Sequence, residues 1–396
     1  MWHKGAARLR PTVLSLATGN TANTANTDTS TDTSTTEVDK TTRNALSQRQ
    51  PRFERPQNLD NANHSSHLST ADVENFVVSV VGGMIMDQFS QAEWMPKNDE
   101  SLDADGRVYK PGGKGSNTSI AVYRSQYKKP IYGSKPEPIE PIATSDERRR
   151  GAVVYLNTAV GNDQFGKELT KNLKQNGIDT HGVRTFPGQM TGICAVFINP
   201  FTKESRDIGY PDTNTNWTPR EPDSIICLTG KEPQTLDLVV CHLETKHETV
   251  ETLLATVTEH GIETLLNPSP LPGAQKKLKA IEERRRAAKY FLGQGVKNVV
   301  STVGVEGAFY ATATCDGVVP AVPKLDVKDT TGAGYYAMDY VRQRHRGEWD
   351  IRKAVELGCR AAAKTIQQFK AQDVFRGQMN LNISRRSNSV VPHSWM

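Results

Sequence analysis

The chain is short of the features that mark several protein classes. Its 396 residues hold five cysteines (Cys194, Cys227, Cys241, Cys315 and Cys359), with no Cys-x-x-Cys spacing. That excludes a dense disulfide framework and the usual zinc-ribbon patterns. Several of these cysteines sit in apolar runs and read as reduced core thiols, so the expected location is the cytoplasm, with the nucleus also open. No stretch approaches the ~18 consecutive apolar residues of a membrane-spanning helix. Lys and Arg number 49 against 44 Asp and Glu, a net charge of +5, which is too small and too dispersed to imply a nucleic-acid surface. The charged runs Glu147-Arg148-Arg149-Arg150 and Glu282 to Arg286 read as solvated loop and helix faces.

Apolar residues thin out after the first eighteen positions. Asn20 to Thr42 is a Thr/Asn/Asp/Ser tract, and Gln48 to Ser69 is also polar. Neither can bury enough surface to offset the entropy of ordering, so residues 1–72 are expected to form a disordered tail. Met1 to Thr18 carries Lys4, Arg8 and Arg10 and no acidic residue, which leaves a mitochondrial transit peptide as a minor alternative to a dispensable tail. Residues 128–150, rich in Pro and charge, read as an inserted surface loop, and residues 377–396 as a polar tail.

Between these, residues 73–376 have the make-up of a globular domain. The chain is 36% hydrophobic, enough for one large core. Phe76 to Val81 is an apolar run ending in Gly82-Gly83, a buried strand and a tight turn. Thr191 to Ile198, Val239 to Glu244, Leu265 to Pro270 and Val299 to Ala308 repeat the pattern of an apolar strand followed by turn residues, and helical stretches lie between them. Two glycine clusters stand out. One is Pro111-Gly112-Gly113-Lys114-Gly115-Ser116-Asn117-Thr118, which does not fit the Gly-x-x-x-x-Gly-Lys-Ser/Thr phosphate loop. The other is Asp329-Thr330-Thr331-Gly332-Ala333-Gly334, followed by a helix-like Tyr336 to Arg346. A small-residue turn entering a helix offers free N–H groups at the positive end of the helix dipole, and so binds anions.

The two clusters, in this order, resemble the two signatures of the PfkB (ribokinase-like) carbohydrate kinases. Val160-Gly161-Asn162-Asp163-Gln164-Phe165-Gly166, Asn267-Pro268 and Thr302-x-Gly304-x-x-Gly307 are similar to further segments of that family, and the likeness runs from Phe76 to Asp373. The resemblance implies an α/β fold, a central mostly parallel sheet flanked by helices with a small β lid. The lid would be formed by Gln88 to Tyr109 and Thr191 to Tyr210. It implies a kinase that moves the γ-phosphate of ATP to a hydroxyl of ribose or a similar sugar, with Mg²⁺ and a monovalent cation, K⁺, as cofactors. Asp87, Gly112, Gly113, Lys114, Asn117 and Glu244 would hold the sugar. Gly332, Ala333 and Gly334 would form the anion hole, and Thr302, Gly304 and Gly307 would lie along ATP. Asp329 and Thr331 would serve the monovalent cation. The implied partners are sugar and ATP, with no nucleic acid and no membrane, and a homodimer formed through the lid.

Three departures stand against the family pattern. Tyr335 follows Gly334 where the family has the aspartate that deprotonates the sugar, and a phenol with a pKa of about 10 is a poor base. The next residues look like a later part of the family's helix, which suggests a deletion of about five residues, more than one turn at ~1.5 Å per residue. Between Pro270 and Val299 the family's further strand and its Asn-x-x-Glu segment are missing, which is expected to leave neighbouring strands without ladder partners. Ile85 stands where ribokinases carry a sugar-binding asparagine. Two explanations stay open: a relative that has lost catalysis and only binds sugar or nucleotide, or a coding sequence that has lost pieces.

Overall fold

The computed structural model describes residues 13–16, 76–92, 94, 97–124, 152–199, 201, 205–219, 228–229, 236–269, 280–323 and 350–365. Two compact units are distinguished: residues 1–21 with 74–396, and residues 22–73, the latter outside the described residues. The inserted loop 128–150, the tail 377–396, the anion-hole turn with Tyr335 and the helix-like Tyr336 to Arg346 also lie outside them.

Among the described residues the strands are β1 (Val13–Leu16), β2 (Phe76–Val81), β3 (Ile85–Gln91), β4 (Asp105–Gly112), β5 (Ala152–Gly161), β6 (Val183–Phe186) and β7 (Ile193–Ile198). They continue with β8 (Ser205–Tyr210), β9 (Leu238–His242), β10 (Glu263–Asn267), β11 (Asn298–Thr302), β12 (Ala308–Thr312) and β13 (Asp316–Val319). The helices are α1 (Lys114–Arg124), α2 (Gln164–Gln175), α3 (His247–Glu259), α4 (Ile281–Gly293) and α5 (Ile351–Thr365). The larger sheet has the order β13-β12-β11-β1-β10-β9-β2-β5-β6, and the smaller the order β4-β3-β7-β8. From β11 to β6 every pairing of the large sheet is parallel; β12 and β13 add an antiparallel edge. The small sheet pairs β3 with β4 and β7 with β8 antiparallel and β3 with β7 parallel, so the lid stands on the two segments read for it.

A parallel sheet covered on both faces needs strands that are apolar on both sides, and β2 is such a strand. Val78 and Val80 face a layer holding Ile120 and Val122 of α1 with Leu169 and Leu173 of α2. Val77 and Val81 face the opposite layer, with Val250, Leu253, Leu254 and Val257 of α3 and Ala288 of α4. A third cluster seats α5 through Ile351, Val355 and Cys359 against Val300, Tyr310 and Val319.

Two sequence readings are corrected. The first concerns the gap after Pro270. Strands β10 and β11 are not left unpaired: β1 lies between them, parallel to both, with Val13 opposite Leu265 and Asn298, and Leu14 opposite Leu266 and Val299. The expectation of a disordered tail over residues 1–72 does not hold for Val13–Leu16. That segment is ordered because two parallel strand edges, one on each side, take up its backbone groups. The second concerns Glu282 to Arg286. Helical periodicity turns Arg284 and Ala288 of α4 toward the sheet, so Arg284 is buried and donates to Ser301 Oγ at 2.9 Å. Its neighbour Arg285 stays on the outer side and pairs with Asp316. Among the cysteines, Cys241 and Cys359 are buried, Cys194 is half-buried and Cys315 is exposed.

Asp163 ties the lid to the sheet. It caps α2, accepting from the Gly166 N–H at 2.8 Å, and also accepts from the Thr191 N–H at 2.8 Å and the Thr191 hydroxyl at 2.6 Å. Thr191 Oγ1 in turn accepts from the Gly161 N–H at 3.0 Å. Burial opposes the Asp163 charge, but these hydrogen bonds outweigh it and hold the carboxyl below its usual range. Asp163→Ala removes the helix cap and strands the Thr191 N–H. It is expected to lower stability by about 1–3 kcal/mol, read as a lower denaturant midpoint with an unchanged slope.

Candidate active site

In open α/β sheets, ligands collect beyond the carboxyl ends of the parallel strands. Three turns meet there. Gly82-Gly83 follows β2, Leu243-Glu244 follows β9, and the lid strand β4 runs through Gly112-Gly113 into the first turn of α1. Backbone passes backbone so closely that side chains would not fit. Gly113 has φ of 91°, and a Cβ on it would meet the Gly83 carbonyl oxygen at 2.5 Å. A Cβ on Gly112 would collide with the Asp87 carboxylate, which therefore lies directly over this turn.

Glu244 closes the cluster. It is 6% exposed. Its Oε2 accepts from the N–H groups of Gly83 at 2.9 Å, Lys114 at 2.8 Å and Gly115 at 3.4 Å, and its Oε1 lies 3.3 Å from Lys114 Nζ. A carboxylate at a helix N-terminus satisfies donors that the helix leaves free and is favoured by the dipole. Burial opposes the Lys114 ammonium charge, yet Glu244 outweighs that effect and raises its pKa. Asn117, in the first turn of α1, donates its N–H to the Gly113 carbonyl at 2.9 Å. Of the residues read as sugar-binding, Asp87, Gly112, Gly113, Lys114, Asn117 and Glu244 are thus brought to one place.

Sequence reasoning missed two supports of this place. Asn214 is fully buried in a short 3₁₀ turn, Asp212–Asn216. Its Oδ1 accepts from the Met84 N–H and the Thr158 hydroxyl, each at 3.0 Å, and its Nδ2 donates to the carbonyls of Met84 and Pro211. It therefore fixes the start of β3 just upstream of Asp87. The polar sequence Asp212-Thr213-Asn214-Thr215-Asn216 gave no signal of burial. The second is His242, in the last position of β9, whose Nε2 lies 2.9 Å from Thr118 Oγ1 on α1. A histidine ending an apolar strand was the visible clue. Burial depresses its pKa from the ordinary 6.5 to about 4, so the ring is neutral at neutral pH. His242 Nδ1, Thr245 Oγ1 and Asn267 Oδ1 are buried without hydrogen-bond partners, a costly arrangement. Cys194 faces Asp87 across the β3–β7 pairing. Burial and then the charges of Asp87 and Asp207 push its thiol up to about 12, which excludes it as a nucleophile near neutrality.

Thr302, Gly304 and Gly307 form a separate group, at the carboxyl end of β11 and the turn into β12. Gly304 has φ of 61° and no heavy atom within 4 Å of where a Cβ would stand, so the turn opens onto free space. That exposed backbone suits the edge of a nucleotide. Strands β10 and β1 separate β9 from β11. At ~4.8 Å per strand, the axes carrying Glu244 and Thr302 are about 14 Å apart. Among the described residues no group of three or more His, Cys, Asp or Glu could hold a metal ion. Asp329, Thr331, Gly332, Ala333, Gly334 and Tyr335 lie outside the described residues.

Comparison with known proteins bears on family and fold. The model of the pfkB family carbohydrate kinases matches residues 75–281 and 254–376. The deoxyribokinase of Salmonella typhimurium is 26% identical over 280 residues, covering 65% of this chain and 81% of that protein. The ribokinase of Schizosaccharomyces pombe is 23% identical over 318 residues, covering 74% and 92%. Among solved structures, a ribokinase from Giardia lamblia superposes with a TM-score of 0.62 at 16% identity, over 78% of this chain and 97% of that one. An Arabidopsis thaliana ribokinase complexed with ribose and ATP gives 0.59 at 17% identity, over 78% and 98%.

Two measurements test the site. Glu244→Gln leaves one oxygen for the backbone N–H groups but turns an amide NH₂ toward the Lys114 ammonium, and is expected to destabilise the chain by about 2 kcal/mol, read as a lower melting temperature. His242 is neutral when folded but protonates at its ordinary value when unfolded. Its contribution to stability is therefore full above about pH 6.5 and is lost as pH falls toward 4, by at most about 3 kcal/mol. His242→Gln is expected to flatten that part of the melting-temperature profile between pH 4 and 7 relative to the parent chain.

Proposed function

The chain belongs to the pfkB family of carbohydrate kinases, and from that premise we propose that it transfers the γ-phosphate of ATP to a hydroxyl of ribose or a closely similar sugar. One observation carries the reading: Glu244, Lys114, Asp87 and the Gly82-Gly83 and Gly112-Gly113 turns converge under a β lid at the carboxyl edge of the sheet. Carboxylates accept from sugar hydroxyls, the Asn117 amide can both accept and donate, and the glycines let a ring approach the backbone. Thr302 and Gly304 offer a turn for the nucleotide on the same edge. Mg²⁺ would offset charge on the phosphates when bound, and a monovalent cation at Asp329 and Thr331 belongs to the same proposal. Dimerisation through the lid does too; Val108 of β4 and Ile208 and Tyr210 of β8 are large apolar side chains standing exposed on it. Among the described residues no helix is long and apolar enough to cross a membrane.

Tyr335, standing directly after Gly334, favours a second reading: a relative that binds sugar and nucleotide without transferring phosphate. ADP release measured across a pentose panel that includes ribose and 2-deoxyribose separates the two. The kinase reading expects ADP only when both sugar and Mg²⁺ are present. The second expects sugars or ATP to raise the melting temperature with no ADP released. An aspartate inserted after Gly334 is expected to raise turnover by about 10²–10⁴. No gain would count against the loss of a segment at this junction.

A further inference from the structure

We propose that Val13–Leu16 is a donor strand that completes the catalytic sheet and sets the distance between its sugar-binding and nucleotide-binding halves. The described residues put the sugar cluster on β2 and β9 and the nucleotide turn on β11, and only β10 and β1 stand between β9 and β11. Strand β10 is joined to the sugar half through five register pairs with β9, from Glu263 opposite Leu238 to Asn267 opposite His242. Strand β11 is joined to the nucleotide half through β12. The contact between halves within the sheet is β1, paired to β11 along its whole length and to β10 at Val13 and Leu14.

Among the described residues between β10 and β11 there is no strand: they hold helix α4, and the next strand begins at Asn298. The slot is therefore one strand wide and open to an extended peptide that runs parallel to both neighbours. Strand addition of this kind draws its affinity from main-chain hydrogen bonds, so a short segment with little side-chain signature can fill it. The connection from Leu16 to Phe76 is long enough to reach the slot from any side of the domain. Without β1, β10 and β11 must either stay unpaired or close up by one strand, about 5 Å. Misplacing reacting groups by even ~1 Å can lower a rate about 10²-fold. The segment is thus part of the active-site frame, and cleavage after Thr18 would remove it. The spacing argument rests on the kinase reading; the pairing does not.

Hydrogen exchange followed by mass spectrometry reads the pairing directly. Leu14→Pro in the full chain takes away a main-chain donor at a residue paired on both sides. It is expected to speed exchange in residues 263–267 and 298–302 by about tenfold or more, while residues 76–81 and 152–161 stay as they were. In a chain lacking residues 1–18, a synthetic peptide of residues 10–20 is expected to restore slow exchange in both segments. Unchanged exchange of 263–267 and 298–302 in Leu14→Pro overturns the proposal. If that variant does not fold, a truncated chain whose exchange is already slow, or is indifferent to the peptide, overturns it. Exchange does not require catalysis. A chain that turns over no sugar yet shows these changes keeps its donor strand and loses only the kinase reading.

Discussion

The buried carboxylate of Glu244 is the constraint on which the rest of the site depends. A lone carboxylate in an apolar interior would be expelled or neutralised. This one is retained because three backbone N–H groups and an ammonium converge on it. Those donors come from turns 129 to 161 residues away in sequence, and each turn can come close only because it is made of glycine. The strands β2 and β9, the lid strand β4 and helix α1 are thereby fixed to one another through two oxygen atoms. The lid cannot swing freely about its base, because the end of β4, where it enters α1, is part of the same arrangement.

The lid is held at its other root by Asp163 and Thr191. These residues join the end of β5, the start of α2 and the approach to β7. Asn214 adds a third attachment at Met84. The roots of the lid are thus polar and rigid, while its outer face carries exposed apolar side chains.

The sheet and the glycine turns beside Glu244 were legible in the sequence for one reason. Strands covered on both faces must be continuous apolar runs, and turns at a ligand edge must be rich in glycine; both leave local marks, as in Phe76–Val81 with Gly82-Gly83. What was not legible depends on distant partners. Val13–Leu16 is four residues long and borders a polar tract, and nothing near it in the sequence tells of two strand edges more than 240 residues away. Asn214 was hidden for the same reason: a buried amide is recognisable only by the carbonyl and N–H groups around it. Arg284 shows the converse error, since a run of charge masked a single inward-facing position on a helix.

The position of β1 also has a consequence in time. The earliest of the described strands, β1, pairs with β10 and β11, which come late in the chain. At about 5–20 residues per second, roughly 10–50 s separate the emergence of Val13 from that of Leu265. During that interval β2 and β5 can pair and their helices can dock, but the middle of the sheet has no strand in it. Val13–Leu16 can meet both of these partners only after β11 has been made. Closing the middle of this sheet therefore joins an early segment of the chain to two late ones.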